Sequence, residues 1–347
     1  MSSAPPNART HGTHGTRRAL VTGATGFLGR HLVTQLHAAG HEVVALCRQH
    51  DHSVAELGVE VRRGDILDAA SVRAAADGCD ALFHCAGKVS RSPEDAEELY
   101  RVHVEGTKIT LDACRVAGVK RVVLASTSGV VAVTEDAREV RDESAPAPME
   151  LLARWPYYRS KLYAERAAFE RSGPSFEVVS VNPTLLLGPG DVHGSSTGDV
   201  VQLLEQKVPF VPAGGMSFVD ARDAAAAMIL AMEKGRAGER YLVSAVNLTI
   251  EAFFARLERI SGVKAPRLKT PRSMLLARAG VGIMERLARH VPAVGTLDRT
   301  SAEMAQCFWY VDPGKAQREL GWAARDPGET LAETVMDLKQ RGVVWPA

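Results

Sequence analysis

From Ala19 to about Val181, short β-branched and aliphatic runs alternate with stretches of helical spacing. Ala19 to Thr22, His41 to Cys47, Val59 to Arg62, Ala81 to Cys85, Arg121 to Ala125 and Phe176 to Val181 have the composition of strands. Strands separated by helical segments predict a parallel sheet, because each crossover returns the chain to the same edge. Between the first two runs, Leu28, Leu32 and Leu36 recur at helical spacing and Gly40 stops the helix. Leu99 to Val116 repeats the pattern, with Gly118 as its stop. The predicted fold class is α/β, with a doubly wound parallel sheet.

Beyond Val181 the texture changes to a loop, Gly188-Pro189-Gly190-Asp191, followed by short helices and turns through Gly215. Binding residues gather on such loops. The expected division is therefore a dinucleotide-binding domain over residues 17–182 and a smaller C-terminal substrate-binding part over residues 183–347. Asp220 to Glu233 has helical spacing, so the stretch 217–245 is expected to return to the first domain. Residues 1–16 carry Pro5-Pro6 and a His-Gly-Thr repeat without an apolar core, the composition of a disordered tail rather than a signal peptide.

Composition narrows the partners. At 347 residues and 46% hydrophobic content the chain can bury a large core. Lys and Arg total 42 against 41 Asp and Glu, and no long basic run occurs, which argues against nucleic acid or an anionic membrane and leaves small molecules. Five cysteines without a C-x-x-C pair fit reduced thiols and a cytosolic location. No stretch reaches the ~18 apolar residues of a spanning helix. Arg278 and Glu285 interrupt the most apolar segment, Met274 to Ala288, which could serve as an amphipathic lid or surface anchor. Eleven histidines form no H-e-x-x-H or comparable cluster, so no metal is expected; His50 and His52 fit a surface loop.

Two motifs carry chemistry. After the first strand comes Gly23-Ala24-Thr25-Gly26-Phe27-Leu28-Gly29, a glycine turn opening a helix. Small residues allow a tight turn and a close backbone approach to pyrophosphate, and the helix N-terminus offers free N–H groups and positive dipole. Further on, Tyr157 stands four residues before Lys161, which puts phenol and ammonium on one helical face; Tyr158 lacks this relation. Together they point to hydride chemistry at a carbon bearing oxygen. Ser126-Thr127-Ser128 follows the fifth strand, at the edge where ligands bind in open sheets, and one hydroxyl should reach the substrate oxygen while others cap the next turn. Arg48, after the second strand, suits the 2'-phosphate of NADP, with a solvated surface arginine as the alternative and NAD still possible. Asp65, with Ile66 beside it, either accepts from the adenine amino group or caps a helix. Ala86 and Gly87 leave room for the cofactor ribose, or make a plain turn.

These residues, with Asn182-Pro183-Thr184, Gly188-Pro189, Phe218 to Asp223 and Lys315 to Trp322, resemble an extended short-chain dehydrogenase/reductase of the NAD-dependent epimerase/dehydratase group over about residues 17–343. The resemblance implies a Rossmann-like fold, Thr127 as catalytic hydroxyl, Tyr157 as acid/base, and Lys161 holding the nicotinamide ribose and favouring the phenolate, with Pro183 also at the cofactor. Its frequent asparagine before Val-x-Gly-Thr is His103 here, a packed histidine by the safer reading. Where a sugar-nucleotide dehydratase carries Asp-Glu after the threonine, this chain has Ser128-Gly129. Where sugar epimerases often hold an asparagine, it has Leu185.

The resemblance is thus to the dihydroflavonol-reductase and 3β-hydroxysteroid-dehydrogenase branch, implying an NADP-linked reductase of a small, apolar ketone or aldehyde, or a dehydrogenase of the alcohol. Met274 to Val294 could help enclose such a substrate. A nucleotide-sugar epimerase with tightly bound NAD is the main alternative. A dinucleotide-sensing protein without catalysis is disfavoured by the intact Tyr157/Lys161 pair. Apolar positions on Leu99 to Val116 and Leu162 to Phe169 would suit a homodimer contact.

Overall fold

The computed structural model describes residues 18–49, 52–270 and 299–345. The apolar segment from Met274 to Val294, residues 1–16 and His50 lie outside the described residues. Six strands lead the fold: β1 (Arg18–Thr22), β2 (Glu42–Cys47), β3 (Glu60–Arg63), β4 (Ala81–His84), β5 (Arg121–Ala125) and β6 (Glu177–Pro183). Each matches a predicted run to within two residues at either end.

The helices between them are α1 (Phe27–Ala38), α2 (His52–Ala55), α3 (Ala69–Ala76), α4 (Ala96–Tyr100), α5 (Gly106–Val116), α6 (Met149–Leu152) and α7 (Pro156–Phe169). With β9 (Arg240–Val243) the strands form a seven-stranded sheet in the order β3-β2-β1-β4-β5-β6-β9, parallel at every pairing. The chain winds outward from β1 to β3, then restarts at β4 on the other side of β1. That reversal leaves a crevice between the ends of β1 and β4, where ligands enter open sheets.

Strand residues divide by parity, as a pleat requires. Val21, Ala45, Phe83, Val123 and Val179 pack on one face with Leu32 and Leu36 of α1. Leu20, Val44, Leu82, Val122 and Val178 pack on the other with Val72 of α3, Leu111 of α5 and Ala168 of α7. Leu99, Leu111 and Leu162, which suggested a dimer face, are all inside the single chain.

After β6 come β7 (Leu185–Leu187), α8 (Gly198–Leu204), β8 (Gly215–Asp220), α9 (Ala221–Lys234), β10 (Val246–Thr249) and α10 (Ile250–Ser261). Two further helices, Arg299–Met304 and Pro327–Gln340, complete the described chain. β10, β8 and β7 make a separate three-stranded sheet over its own core of Leu187, Phe218, Phe253 and Leu331. The predicted return of 217–245 therefore needs correcting: α9 and β9 rejoin the main sheet, while β8 pairs in the small one.

The helix expected over Leu99 to Val116 is interrupted. Residues Arg101–Glu105 form a single π-helical turn between α4 and α5. The widened turn shifts the register so that His103 and Val104 face inward. Among the described residues no helix is long and apolar enough to cross a membrane, and no group of His, Cys, Asp and Glu could hold a metal ion. None of the five cysteines, all among the described residues, forms a disulfide.

Candidate active site

The glycines after β1 have different physical duties. Gly23 has φ +72°, and a Cβ there would lie 2.6 Å from the Ala86 nitrogen, so the turn must be bare to pass the end of β4. A Cβ on Gly29 would collide with the Gly23 carbonyl, which fixes how closely α1 docks on the turn. Gly26 is different: a Cβ would meet only the Gly23 oxygen, at 3.2 Å. It caps α1 without a side-chain hydrogen bond, and no acidic residue lies in the first turn. The chain itself thus leaves the first N–H groups of this helix without a side-chain acceptor, so they suit a pyrophosphate. Phe27 is buried behind the turn, with Thr25 and Leu28 partly exposed on it.

At the outer edge, Arg48 is exposed just past β2. Asp65 Oδ1 accepts the Leu67 amide at 2.9 Å in a local turn; the cap of α3 is Asp68, so Asp65 is not the helix cap that was its alternative. Ile66 packs over Gly106, where a Cβ would lie 2.8 Å from its Cδ1. Ala86 N donates to Thr22 Oγ1 at 3.3 Å, tying the turn after β4 to β1. Gly87 faces the His103 ring, 3.1 Å from where a Cβ would be.

Tyr157 and Lys161 share one face of α7. Lys161 is buried and donates to the Ala125 carbonyl at 2.6 Å, which pins α7 to the exit of β5. Thr127 follows two residues on. Its Oγ1 accepts a long 3.4 Å bond from the Gly129 amide and keeps its own proton to donate. Its carbonyl accepts Asn182 Nδ2 at 3.1 Å, joining this segment to the end of β6, where Pro183 is buried. The structure therefore brings Thr127, Lys161 and Pro183 to one strand edge.

Burial pushes the Tyr157 phenol above its ordinary range, and the neighbouring Tyr158 phenol adds to this. Burial draws Lys161 down to about 8, against the opposing charge of Glu165. The Lys161 ammonium is taken by the Ala125 carbonyl, and it is not among the groups that shift the phenol.

His103 is packed and also bonded at both nitrogens. The Lys88 amide donates to Nε2 at 3.1 Å, so that nitrogen is unprotonated. Nδ1–H then donates to Ser160 Oγ at 2.8 Å, and Ser160 donates to the Tyr157 carbonyl at 2.8 Å. The ring edge meets the Tyr157 ring at 5.6 Å between centroids. His84 bridges Thr22 and Thr107 at 2.8 and 3.1 Å. Burial, then the Lys161 charge, lowers both imidazoles to about 3.

Three features escaped the sequence. Glu165, fully buried, lies one turn beyond Lys161; its signal was a third polar residue at the same spacing. Asn182 holds Thr127 rather than merely preceding Pro183. Tyr158 and Trp309 pack 4.9 Å apart over Gly129 as an aromatic wall, a contact 151 residues apart in sequence that no local pattern reveals.

The description of the NAD-dependent epimerase/dehydratase family matches residues 19–244. The chain belongs to this family. As an extended short-chain dehydrogenase/reductase, it is an NAD(P)-dependent oxidoreductase. Among similar proteins, a putative dihydroflavonol 4-reductase of Synechocystis is 31% identical, over 93% of this chain and 95% of its own. Sterol demethylase protein B of Methylococcus capsulatus is 32% identical, over 94% of this chain and 99% of its own. The crystal structure of gox2253 superposes with a TM-score of 0.82 at 28% identity, over 95% of this chain and all of that one.

Proposed function

We propose that this family member is an NADP-linked reductase of a small, apolar ketone or aldehyde. The observation that supports it is that Lys161, on the helix that carries Tyr157, donates to the Ala125 carbonyl two residues before Thr127, whose own carbonyl is held by Asn182. The relatives include a protein named a putative dihydroflavonol 4-reductase and a quinoline-oxide ketoreductase of Stigmatella aurantiaca.

In this reading Gly23, Thr25, Gly26, Phe27 and Leu28 receive the pyrophosphate, Arg48 the 2'-phosphate, Asp65 and Ile66 the adenine, and Ala86, Gly87, Pro183 and Lys161 the nicotinamide half. The bound cofactor supplies the hydride. Tyr157 supplies the proton to the carbonyl oxygen, and a phenol held above its ordinary range stays protonated at neutral pH, ready to give it. Thr127 donates a hydrogen bond to the same oxygen as charge develops there, a contribution of ~3 kcal/mol in a dry site. The small sheet of β7, β8 and β10, with its own core, supplies the substrate-binding part.

The aromatic wall supports the apolar substrate and argues against sugar dehydration. A side chain at position 129 would run into the Tyr158 ring and meet Trp309 at 3.1 Å, so the second carboxylate of a dehydratase's Asp-Glu pair, which would fall there, has no room. Assay with NADPH against aromatic, steroid and lipid ketones tests the proposal; no turnover of any class would overturn it. Mass spectrometry of protein purified without added cofactor separates the alternative, since retained NAD would indicate an epimerase.

A further inference from the structure

α7 carries a third polar side chain on the face that bears Tyr157 and Lys161. Glu165 completes an i, i+4, i+8 series, so the three stack along the helix. Its carboxylate is fully buried and held from two strands. Asn182 Nδ2 on β6 donates to Oε2 at 2.7 Å, and Ser180 Oγ, donating to Asn182 Oδ1 at 2.7 Å, fixes the amide in that orientation. The Arg240 guanidinium on β9 stands 2.7 Å from Oε1.

Asn182 also donates to the Thr127 carbonyl, and Lys161 donates to the Ala125 carbonyl. The two carbonyls that bracket Ser126 are thus fixed by side chains from β6 and α7. Both side chains depend on one carboxylate, Asn182 by hydrogen bond and Lys161 by charge.

We propose that Glu165 is a positioning residue of this site: by holding Asn182 and balancing the Lys161 ammonium, it sets the Ala125–Thr127 segment against the helix that presents Tyr157. The proposal rests on the reading of Tyr157, Lys161 and Thr127 as the reacting groups.

The groups around Lys161 agree with this role. His84 on β4, Cys85 just past it, His103 in the π turn and Glu165 on α7 all interact with its charge. Burial keeps both imidazoles and the thiol neutral near pH 7. Glu165 is then the one anion among these groups, with the Arg240 cation on its far side.

Glu165→Gln preserves size and can still accept from Asn182 through its amide oxygen, while removing the charge. In the full chain, NMR of ¹³Cε-labelled lysine follows the Lys161 titration whether or not substrate turns over. The expected midpoint falls by about one pH unit, and the alkaline limb of kcat falls with it. kcat itself drops on the order of tenfold, with NADPH affinity nearly unchanged. Arg240→Gln, which removes the opposing cation, moves the midpoint upward. An unchanged midpoint in folded Glu165→Gln, a downward shift in Arg240→Gln, or a shifted midpoint with undiminished kcat would each overturn the proposal. Midpoints that move as expected in a protein that reduces no carbonyl compound would sustain the hold of Glu165 on Lys161 and sink the reductase reading instead.

Discussion

Lys161 Nζ donates to the Ala125 carbonyl at 2.6 Å, two residues ahead of Thr127. One ammonium therefore braces the strand end that presents the hydroxyl, and it does so from the helix that presents the phenol. Burial draws that ammonium down to about 8, so its charge is present below that pH and is lost as pH rises through it. The account predicts that kcat/KM for reduction falls with a one-proton slope above about pH 8. Lys161→Arg, whose guanidinium keeps its charge, should remove this limb. It should also lower the plateau by at least ~10-fold, because a planar fork does not replace a compact ammonium. Steady-state pH profiles of the two proteins check both expectations.

Gly26 and Gly29 should separate binding from folding. A methyl at Gly29 meets the Gly23 backbone, which cannot yield without moving the turn, so Gly29→Ala should destabilise the protein by roughly 3 kcal/mol or prevent folding. A methyl at Gly26 meets one oxygen at 3.2 Å. Gly26→Ala should stay within about 1 kcal/mol of wild type in denaturant unfolding. It should nevertheless weaken NADPH binding on the order of tenfold, since the added carbon stands where pyrophosphate approaches.

The buried imidazoles make the fold sensitive to acid. His84 and His103 titrate near 3 in the folded protein, against an ordinary value of 6.5. Above pH 6.5 both states are neutral and the residues contribute no pH dependence. Below it the unfolded chain takes protons that the folded chain refuses, so stability is lost as pH falls from 6.5 towards 3. By pH 5 each histidine should cost about 2 kcal/mol. Unfolding at pH 7 and pH 5 should show this loss, and His103→Gln should remove about half of it.

How legible this was in the sequence follows from the range of the interactions. β1 to β6, the α1 cap and the Tyr157/Lys161 pair depend on neighbours within a few residues, and strand alternation, glycine and i,i+4 spacing report those directly. The π turn at Arg101–Glu105 was hidden because its apolar spacing still passes for a continuous helix. The sheet to which β8 belongs is not legible in the sequence, because pairing partners are not encoded in a strand's own pattern: it pairs with β7 and β10. The rise of the Tyr157 phenol came from burial, which i,i+4 spacing cannot express. Glu165, Asn182 and Arg240 meet only because α7, β6 and β9 are neighbours in space.

The central claim is that Tyr157 gives the proton. Single-turnover reduction of an apolar ketone by NADPH-loaded Tyr157→Phe, beside wild type, tests it most directly. The account predicts NADPH affinity close to wild type with the reduction step slowed by at least ~100-fold. A phenylalanine enzyme that reduces the ketone at the wild-type rate would contradict it.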